Sequence, residues 1–262
     1  MSGIAIDNVG MEFTGTNGAP LVALDGIEQR IEDGSFVSIV GPSGCGKSTL
    51  LAIVSGLQRP TGGSVTIGDR VVTKPDPRIG VIFQEDSTLP WRTVLGNVKF
   101  GMAIAGASKE HQEEQARKMI ELVGLEGFED AYPAKLSGGM RQRVAIARTL
   151  ALEPEVLLMD EPFGALDPQT RLMIGAEVRR IWQRTGTTVM FVTHDIQEAL
   201  MLSQEIWVMS YRPGRILDCV EVSLPEDRGL ESVGGHDFAE LQSRIWEHIR
   251  GEVTRGMERS RA

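Results

Sequence analysis

The sequence predicts an α/β fold: a mostly parallel β-sheet with an antiparallel β subdomain and an inserted α-helical subdomain. A short apolar strand, Phe36–Val40, leads through a glycine-rich loop into an apolar helix, Leu50–Ser55. Around this unit, apolar strands alternate with helical segments, which is typical of a parallel sheet covered on both faces. Between Gln84 and residue 153 helices interrupt the alternation, and this interruption indicates the insertion.

The first third of the chain is rich in predicted strands, which form the antiparallel part. Ile4–Phe13 and Gly26–Ile31 carry the β-branched and apolar residues that favour extended structure. Ser64–Ile67 and Arg70–Thr73 are separated by Gly68-Asp69, and two such runs around a two-residue turn predict a hairpin.

The rest of the chain alternates strands and helices, and helix-capping residues mark some of the boundaries. The predicted elements are strand Arg78–Phe83, helices Thr93–Ala105 and Lys109–Val123, strand Glu155–Met159, helix Pro168–Thr185, strand Thr187–Val192, helix Ile196–Leu202, strands Glu205–Ser210 and Arg215–Val222, and helix Phe238–Arg250. We expect one domain over residues 1–222, with its helical subdomain at about 85–153. Residues 223–262 then form a C-terminal linker, an amphipathic helix and a loose basic tail.

Composition excludes several classes of protein. With 262 residues the chain has room for one or two domains, and its net charge of -9 argues against nucleic acid as the main partner. The two cysteines, Cys45 and Cys219, form no disulfide framework, which favours a reducing, cytosolic setting. No apolar run approaches the ~18 residues of a membrane span. The N-terminus lacks the basic and apolar segments of a signal peptide.

The glycine-rich loop matches the phosphate-binding pattern G-x-x-x-x-G-K-[ST] at every fixed position. Its candidate nucleotide-binding residues are Gly41, Pro42, Ser43, Gly44, Cys45, Gly46, Lys47, Ser48 and Thr49. Backbone N–H groups of such a loop and the following helix N-terminus attract phosphate. We expect Lys47 to reach the β- and γ-phosphates and the Ser48 hydroxyl to hold Mg²⁺. Cys45 is interpreted as a small filler residue of this loop and not as a nucleophile.

A second candidate site follows the apolar strand near residue 156. Asp160 and Glu161 come directly after Val156–Met159. In phosphoryl transfer an Asp at a strand end supports Mg²⁺, and a neighbouring Glu polarises the attacking water. Adjacent strand residues point to opposite faces, so the two carboxylates are expected to address metal and water separately. The alternative interpretation is a strand that simply ends in solvent.

Leu136-Ser137-Gly138-Gly139 precedes a helix and lies ahead of the Asp-Glu strand. This stretch resembles the signature of the ABC ATPases, a family with the P-loop NTPase-type sheet. Ser137 is expected to cap a helix that starts at Gly138, and the outward N–H groups make Ser137, Gly138 and Gly139 a second anion-binding site. Two half-sites for one phosphate group imply a homodimer, in which each ATP lies between the phosphate loop of one subunit and Ser137–Gly139 of the other.

The resemblance extends over the chain to about residue 222 and implies further site residues. Phe13 is similar to an aromatic residue that stacks on adenine, although it is alternatively a core residue at a strand end. Gln84 matches a glutamine that links the Mg²⁺ site to the helical subdomain. Asp167 of Ala165-Leu166-Asp167 matches a loop that crosses the dimer interface. His194 matches a histidine that contacts the γ-phosphate. Met140 departs from the usual glutamine of the signature.

A lone nucleotide domain resembles the ATPase subunits of importers. Leu89–Val94, Met140–Arg143 and Tyr211–Ile216 look most like the nitrate/sulfonate/taurine group. This resemblance implies a cytoplasmic-face, peripheral membrane protein that partners transmembrane permease subunits and a solute-binding protein. The groove near Asp86–Trp91 is the expected permease contact, with Trp91 either a contact or a packed core residue. The alternatives are a lipid or export system, a soluble ABC ATPase and a small-molecule kinase.

Overall fold

The computed structural model describes residues 2–15, 18–85, 87–225, 228 and 235–259. In these residues the strands are β1 (Ile4–Thr14), β2 (Pro20–Ile31), β3 (Phe36–Val40), β4 (Gly62–Ile67), β5 (Arg70–Val71), β6 (Ile79–Ile82), β7 (Val156–Asp160), β8 (Thr188–Val192), β9 (Glu205–Met209) and β10 (Ile216–Glu221). The α-helices are α1 (Lys47–Val54), α2 (Val94–Ile104), α3 (Lys109–Leu122), α4 (Gly138–Leu150), α5 (Pro168–Thr185), α6 (Ile196–Leu202) and α7 (His236–Arg259), and Pro133–Lys135 form a 3₁₀ turn. Asp86 of the predicted permease groove, most of the predicted linker and residues 260–262 of the predicted tail lie outside the described residues.

Most predicted elements are present, and α5 and α6 have the predicted bounds. Three predictions about length are wrong. β5 ends at Val71 and not at Thr73. The second strand is not confined to Gly26–Ile31 but begins at Pro20, because register shifts between β1 and β2 accommodate the polar, glycine-containing middle of the strand. The last helix does not stop at Arg250 in a loose tail, since it continues to Arg259. Its last turns are held by Glu252, a buried side chain that accepts a hydrogen bond from the Tyr211 N–H.

The described residues form two compact units. The first is built from the chain up to Asp76 and from Trp182 onward, and the second is Pro77–Ile181. No helix among the described residues has both the length and the apolar character that crossing a membrane requires.

The first unit contains an antiparallel sheet with the strand order β2-β1-β4-β5. Ile4 at the start of β1 lies opposite Ile31 and Ile67 of the two neighbouring strands, and all three are almost fully buried. Alternating apolar residues thus give the sheet one buried face. The predicted hairpin is present, with Ile67 opposite Arg70.

The first unit also contains the strands β10-β9-β3-β8, which position the phosphate loop. β3 pairs in parallel with both β8 and β9, while β10 closes the edge in antiparallel fashion. Every residue of Phe36–Val40 is buried, as expected for a strand covered on both faces. The Phe36 ring packs edge-on against Trp182 and Phe191, with ring centroids at 5.7 and 6.1 Å.

The second unit combines a parallel strand pair with helices. β6 and β7 run in parallel, with Ile79 opposite Val156 and Ile82 opposite Met159. Helices α2, α3 and α4 pack on one another, and α4 also packs on β6. The two strands end side by side, so the residues that follow them, Gln84 and Glu161, are brought to the same edge.

Candidate functional site

The phosphate loop runs from the end of β3 to the first turn of α1. Gly44 and Gly46 have φ angles of 75° and 106°, which favour glycine. A Cβ on Gly41 would lie 2.9 Å from the Met209 carbonyl oxygen, and one on Gly46 would lie 2.7 Å from Leu24. The glycines are therefore needed both for the turn and for the close approach of β2 and β9 to the loop.

The first turn of α1 begins without a side-chain cap. No described side chain caps this helix at Gly46, whereas α2, α3, α4 and α6 each have a side-chain cap. Ser43, Gly44 and Ser48 are exposed, so one face of the loop is open to a ligand. Uncapped N–H groups and the helix dipole together favour an anion at this position.

Lys47 is 6% exposed and folds back over its own loop. Its Nζ donates to the carbonyl oxygens of Gly41 at 2.9 Å and Pro42 at 3.1 Å. Cys45 is fully buried beneath it, and burial raises the pKa of the Cys45 thiol above its ordinary value. A neutral, enclosed thiol has the properties of a packing residue and not those of a nucleophile.

His194 lies at the same sheet edge as the phosphate loop. It is exposed and follows β8, whose last residue, Val192, lies opposite Ile39 of β3. The Thr193 N–H donates to the Ile39 carbonyl oxygen at 3.2 Å, which continues the pairing to the residue before His194. Asp195 caps α6 and fixes the turn in which His194 lies.

Phe13 lies near the end of β1, opposite Leu21 of β2. Its ring is 38% exposed, which argues against the alternative that it is a core residue. The neighbouring β2 contacts the phosphate loop through Ala23 and Leu24, close to Gly46. An exposed ring beside this strand has a free face on which a base can stack.

In the second unit, Gln84 and Glu161 are brought together. The Gln84 Nε2 donates to a Glu161 carboxylate oxygen at 3.4 Å. Asp160, at the end of β7, is 9% exposed, whereas Glu161 is half-buried. Gln84 and Glu161 follow two parallel strands that end at the same edge, so they meet although they are far apart in the sequence.

The expected alternation of Asp160 and Glu161 along a strand is wrong. β7 ends at Asp160, and Glu161 has a φ angle of 45°, in the left-handed region. A non-glycine residue in this region is uncommon and is often found at functional sites. The two carboxylates are therefore separated by a turn of the backbone and not by the pleat of a strand.

The Ser-Gly-Gly segment begins α4 as predicted. The Ser137 Oγ accepts the Met140 N–H at 3.2 Å, and the helix starts at Gly138. A Cβ on Gly139 would lie 3.3 Å from the Ala165 carbonyl oxygen, so Gly139 packs closely on the segment before α5. Asp167 accepts the Thr170 N–H at 3.0 Å, and hydrogen bonds from Thr170 lower the pKa of Asp167.

Sequence reasoning missed residues that support these segments. Asn97 is fully buried on α2, and its side chain accepts the Leu89 N–H and donates to the carbonyls of Leu89, Arg92 and Thr93 at 2.8–3.1 Å. It thus holds the loop that presents Trp91. Trp91 is 71% exposed, which contradicts the alternative that it is a packed core residue. The sequence signal that could have revealed this role is an Asn within a mostly apolar helix.

Gln142 on α4 was also missed. Its side chain is 1% exposed, and its Nε2 donates to the Phe83 carbonyl oxygen at 3.1 Å, immediately before Gln84. This hydrogen bond ties the helix of the Ser-Gly-Gly segment to the segment that carries Gln84. Only the three-dimensional packing of α4 against β6 reveals it, because 59 positions separate the partners.

Comparison with known proteins identifies the class. Residues 24–164 match the family model described as ABC transporter. A nitrate import ATP-binding protein of Synechocystis is 46% identical over 86% of this chain and 84% of its own length. An aliphatic sulfonates import ATP-binding protein of Bacillus cereus is 42% identical over 92% and 94%, and a taurine import ATP-binding protein of Rhizobium johnstonii is 44% identical over 92% and 94%.

A solved structure gives the same result for the fold. The dimeric post-hydrolysis state of the ATP-binding cassette MJ0796, bound to ADP and Pi, superposes with a TM-score of 0.77 at 33% identity. It covers 87% of this chain and all of its own. The chain belongs to the ABC transporter family. The predicted family, the ABC ATPase fold and the resemblance to the nitrate, sulfonate and taurine group are therefore confirmed.

Proposed function

We propose that the chain is the ATP-binding and ATP-hydrolysing subunit of a membrane importer for nitrate, a sulfonate, taurine or a similar small solute. The observation that carries the proposal is the open phosphate loop. Its glycines bring an exposed backbone to the start of an uncapped helix, with Lys47 at its centre. The identity with three import ATP-binding proteins over most of the chain supports the importer assignment.

Residues Gly41–Thr49 would bind the phosphates of ATP. Lys47 already has its ammonium group within the loop, where it donates to two backbone carbonyls. On nucleotide binding we expect it to exchange these partners for the β- and γ-phosphates, because charge-assisted hydrogen bonds to phosphate are stronger. Phe13, with its exposed ring, would stack on the adenine.

Mg²⁺ would be held by the Ser48 hydroxyl together with Asp160 and Gln84. Hydroxyl, carboxylate and amide oxygens are the donors that Mg²⁺ prefers, so the residue types fit the ion. Asp160 is nearly buried at the end of β7, beside the strand that leads to Gln84. When bound, the ion neutralises charge on the β- and γ-phosphate oxygens.

Glu161 would polarise the attacking water and His194 would contact the γ-phosphate. The left-handed backbone at Glu161 turns its carboxylate toward Gln84, whose amide donates to it. Gln84 thereby links the candidate base to the helical segment that follows it. Such a link would couple the state of the γ-phosphate to movement of the helices.

Ser137, Gly138, Gly139 and Asp167 would complete the site of a second copy. The N-terminus of α4 presents N–H groups, and Gly139 lies against the segment of Asp167. The similar cassette with ADP and Pi is described as dimeric, which supports a homodimer with ATP at its interface. Contacts supplied in trans are worth ~10³–10⁵ in rate in related phosphoryl transfers, so an isolated copy would be nearly inactive.

The loop that ends at Trp91 would contact the transmembrane permease from the cytoplasmic face of the membrane. Trp91 is exposed, while Asn97 anchors the loop behind it. Exposed tryptophans on an ordered backbone are frequent interface anchors. A separate solute-binding protein would deliver the solute. The nucleotide-binding domain would occupy residues 1–222, with its helical subdomain at about 85–153, followed by the C-terminal region.

Co-reconstitution of the chain with the permease subunits encoded beside its gene tests the proposal. Vesicles should take up nitrate, taurine or an alkyl sulfonate with ATP, and Glu161→Gln should stop both uptake and ATP hydrolysis. Lys118→Ala, an exposed lysine on α3, is the control and should have no effect. ATP-driven efflux would indicate an export system instead. ATP hydrolysis by the reconstituted complex without transport in either direction would indicate a soluble ABC ATPase.

A further inference from the structure

A cavity of about 300 Å³ lies in the first unit, and no residue of the phosphate loop lines it. It is formed between the turn that joins β9 to β10 and the last turns of α7. Its lining residues are Ser210, Tyr211, Pro213, Arg215, Leu217, Glu252 and Arg255. The functional residues assigned above include none of these. The volume is at the lower end of the range found for small-molecule sites.

The lining combines apolar walls with two guanidinium groups. Pro213, Leu217 and the Tyr211 ring form the apolar part. Arg215 and Arg255 are largely exposed, so their charged ends reach solvent at the cavity. The lining carries two positive side chains and one negative side chain, Glu252, and Asp25 pairs with Arg215 from outside the lining.

The carboxylates near the cavity are already engaged. Glu252 is 6% exposed, and its two oxygens accept the Tyr211 N–H at 2.7 Å and an Arg255 N–H at 2.6 Å. Asp25, which does not line the cavity, accepts hydrogen bonds from the Nε and Nη2 of Arg215. A guanidinium has five N–H donors, so both arginines keep capacity for a further acceptor.

The same turn contacts the phosphate loop on its other side. The Arg212 Nη2 donates to the Gly44 carbonyl oxygen at 3.4 Å. A Cβ on Gly214 would lie 2.2 Å from the Cys45 carbonyl oxygen, so this backbone approach leaves no room for a side chain. The turn between β9 and β10 therefore connects the end of α7 directly to the loop that would bind nucleotide.

We propose that this cavity binds a short aliphatic oxyanion, such as an alkyl sulfonate or carboxylate, and that its occupancy changes the affinity of the phosphate loop for nucleotide. The apolar walls accept the alkyl chain and the two arginines pair with the anionic group. An anion that draws Arg255 away from Glu252 would loosen the hold of Glu252 on Tyr211. Arg212 and Gly214, next along the turn, would transmit the change. The proposed effect on nucleotide affinity rests on the proposed function of the phosphate loop, whereas binding of the anion to the cavity does not.

Calorimetric titration of the full chain with sodium butane-1-sulfonate tests the site. The unmodified chain should bind the sulfonate but not butan-1-ol. Arg255→Gln should weaken binding about tenfold or more, because a charge-assisted hydrogen bond is lost. Leu217→Glu, at an exposed position of β10, should block the anion without altering either arginine. Arg250→Gln, an exposed position on the same helix outside the cavity, is the matched control and should bind normally.

Several outcomes would overturn the site: no binding to the unmodified chain, or binding that survives both Arg255→Gln and Leu217→Glu. Binding that is lost in Lys47→Ala but kept in Arg255→Gln would locate the anion on the phosphate loop and would also overturn the proposed site.

The coupling has its own test. The dissociation constant of ADP should change about fivefold or more when sulfonate is saturating, and saturating ADP must change the dissociation constant of the sulfonate by the same factor. An unchanged constant overturns the coupling. Sulfonate binding in a chain that never hydrolyses ATP would refute the proposed function alone.

Discussion

At the scale of single residues, Lys47 illustrates how the phosphate loop is prepared for an anion. A nearly buried ammonium group needs compensation, and two carbonyl oxygens of its own loop provide it. These carbonyls are weaker partners than phosphate oxygens, which carry full charge. We therefore expect the exchange of these partners for phosphate oxygens to favour the nucleotide-bound state.

Replacement of Lys47 by Ala should weaken ATP binding about 100-fold or more, since one charge-assisted contact to each of two phosphates is lost. Isothermal titration with ATP measures the effect, and circular dichroism checks that the fold is retained. Lys118→Ala removes an exposed positive charge from α3 and serves as the control. Equal affinities in all three proteins would exclude Lys47 from the phosphate site.

The thiol of Cys219 gives a pH-dependent prediction. Although Cys219 is an exposed residue, partial burial of its thiol, followed by the nearby Glu205 carboxylate, raises its pKa to about 11. Alkylation by iodoacetamide should therefore be slow at pH 8 and should increase about tenfold per pH unit up to pH 10, because the thiolate is the nucleophile. The alkylation rate of the Cys219→Ser variant measures how much of the reaction occurs at Cys45. A rate that reaches a plateau near pH 9 would contradict the raised pKa.

The same shift has a consequence for stability. In the unfolded chain the thiol ionises near its ordinary pKa of 9.0, whereas in the folded chain it stays protonated to about 11. As the pH rises, the thiol therefore loses its proton first in the unfolded state. The contribution of the Cys219 thiol to the free energy of unfolding is fully present below pH 9 and is lost as the pH rises toward 11.

The functional residues could be predicted from the sequence where a motif fixes them. The backbone conformation of Glu161 could not. The loop Gly41–Thr49 and the cap at Ser137 follow from local chemistry and were found where the pattern indicated. The left-handed backbone of Glu161 could not be predicted, because its side chain gives no glycine-like signal and the strain is held by the surrounding fold.

At the scale of elements, long-range polar anchors determine how loops are presented. Asn97 lies in the first turn of α2 and satisfies three carbonyls and one N–H of the loop before that helix. A buried amide with several partners is costly to remove, because its backbone partners are left unsatisfied. Such a residue fixes the position of Trp91 without touching it.

Asn97→Ala should lower the free energy of unfolding by about 3 kcal/mol and release the loop at residues 88–93. Hydrogen exchange at the Leu89 amide, which Asn97 protects, should become faster while exchange in α4 stays slow. Gln112→Ala removes a side chain that donates to the Ala107 carbonyl and is the matched control. Unchanged exchange at Leu89 in Asn97→Ala would show that the loop is held by other contacts.

The elements themselves were largely predictable, and the exceptions have identifiable causes. Apolar periodicity and caps gave α5 and α6 with the observed bounds. The extension of α7 to Arg259 was not predictable, because Gly251 and the charges around it resemble a loose tail. Burial of Glu252 against Tyr211, far away in the sequence, stabilises those turns.

At the scale of the whole molecule, the account requires two copies. The phosphate loop belongs to one unit of the chain and the Ser137–Gly139 segment to the other, and each lies at the N-terminus of a helix. A shift from a mostly open to a mostly closed dimer needs about 5.5 kcal/mol of differential binding. In the proposed dimer, two ATP molecules, each bound by both copies, would have to supply this difference.

The most direct test is the association state of Glu161→Gln with Mg²⁺ and ATP, measured by sedimentation velocity. This variant should bind ATP, fail to hydrolyse it and sediment as a dimer, while removal of ATP should return it to the monomer. Adding Ser137→Arg to the same variant should keep it monomeric with ATP still bound, because a bulky cation would replace the second half of the phosphate site. A monomer with ATP bound to Glu161→Gln, or a dimer that persists in the double variant, would contradict the shared site.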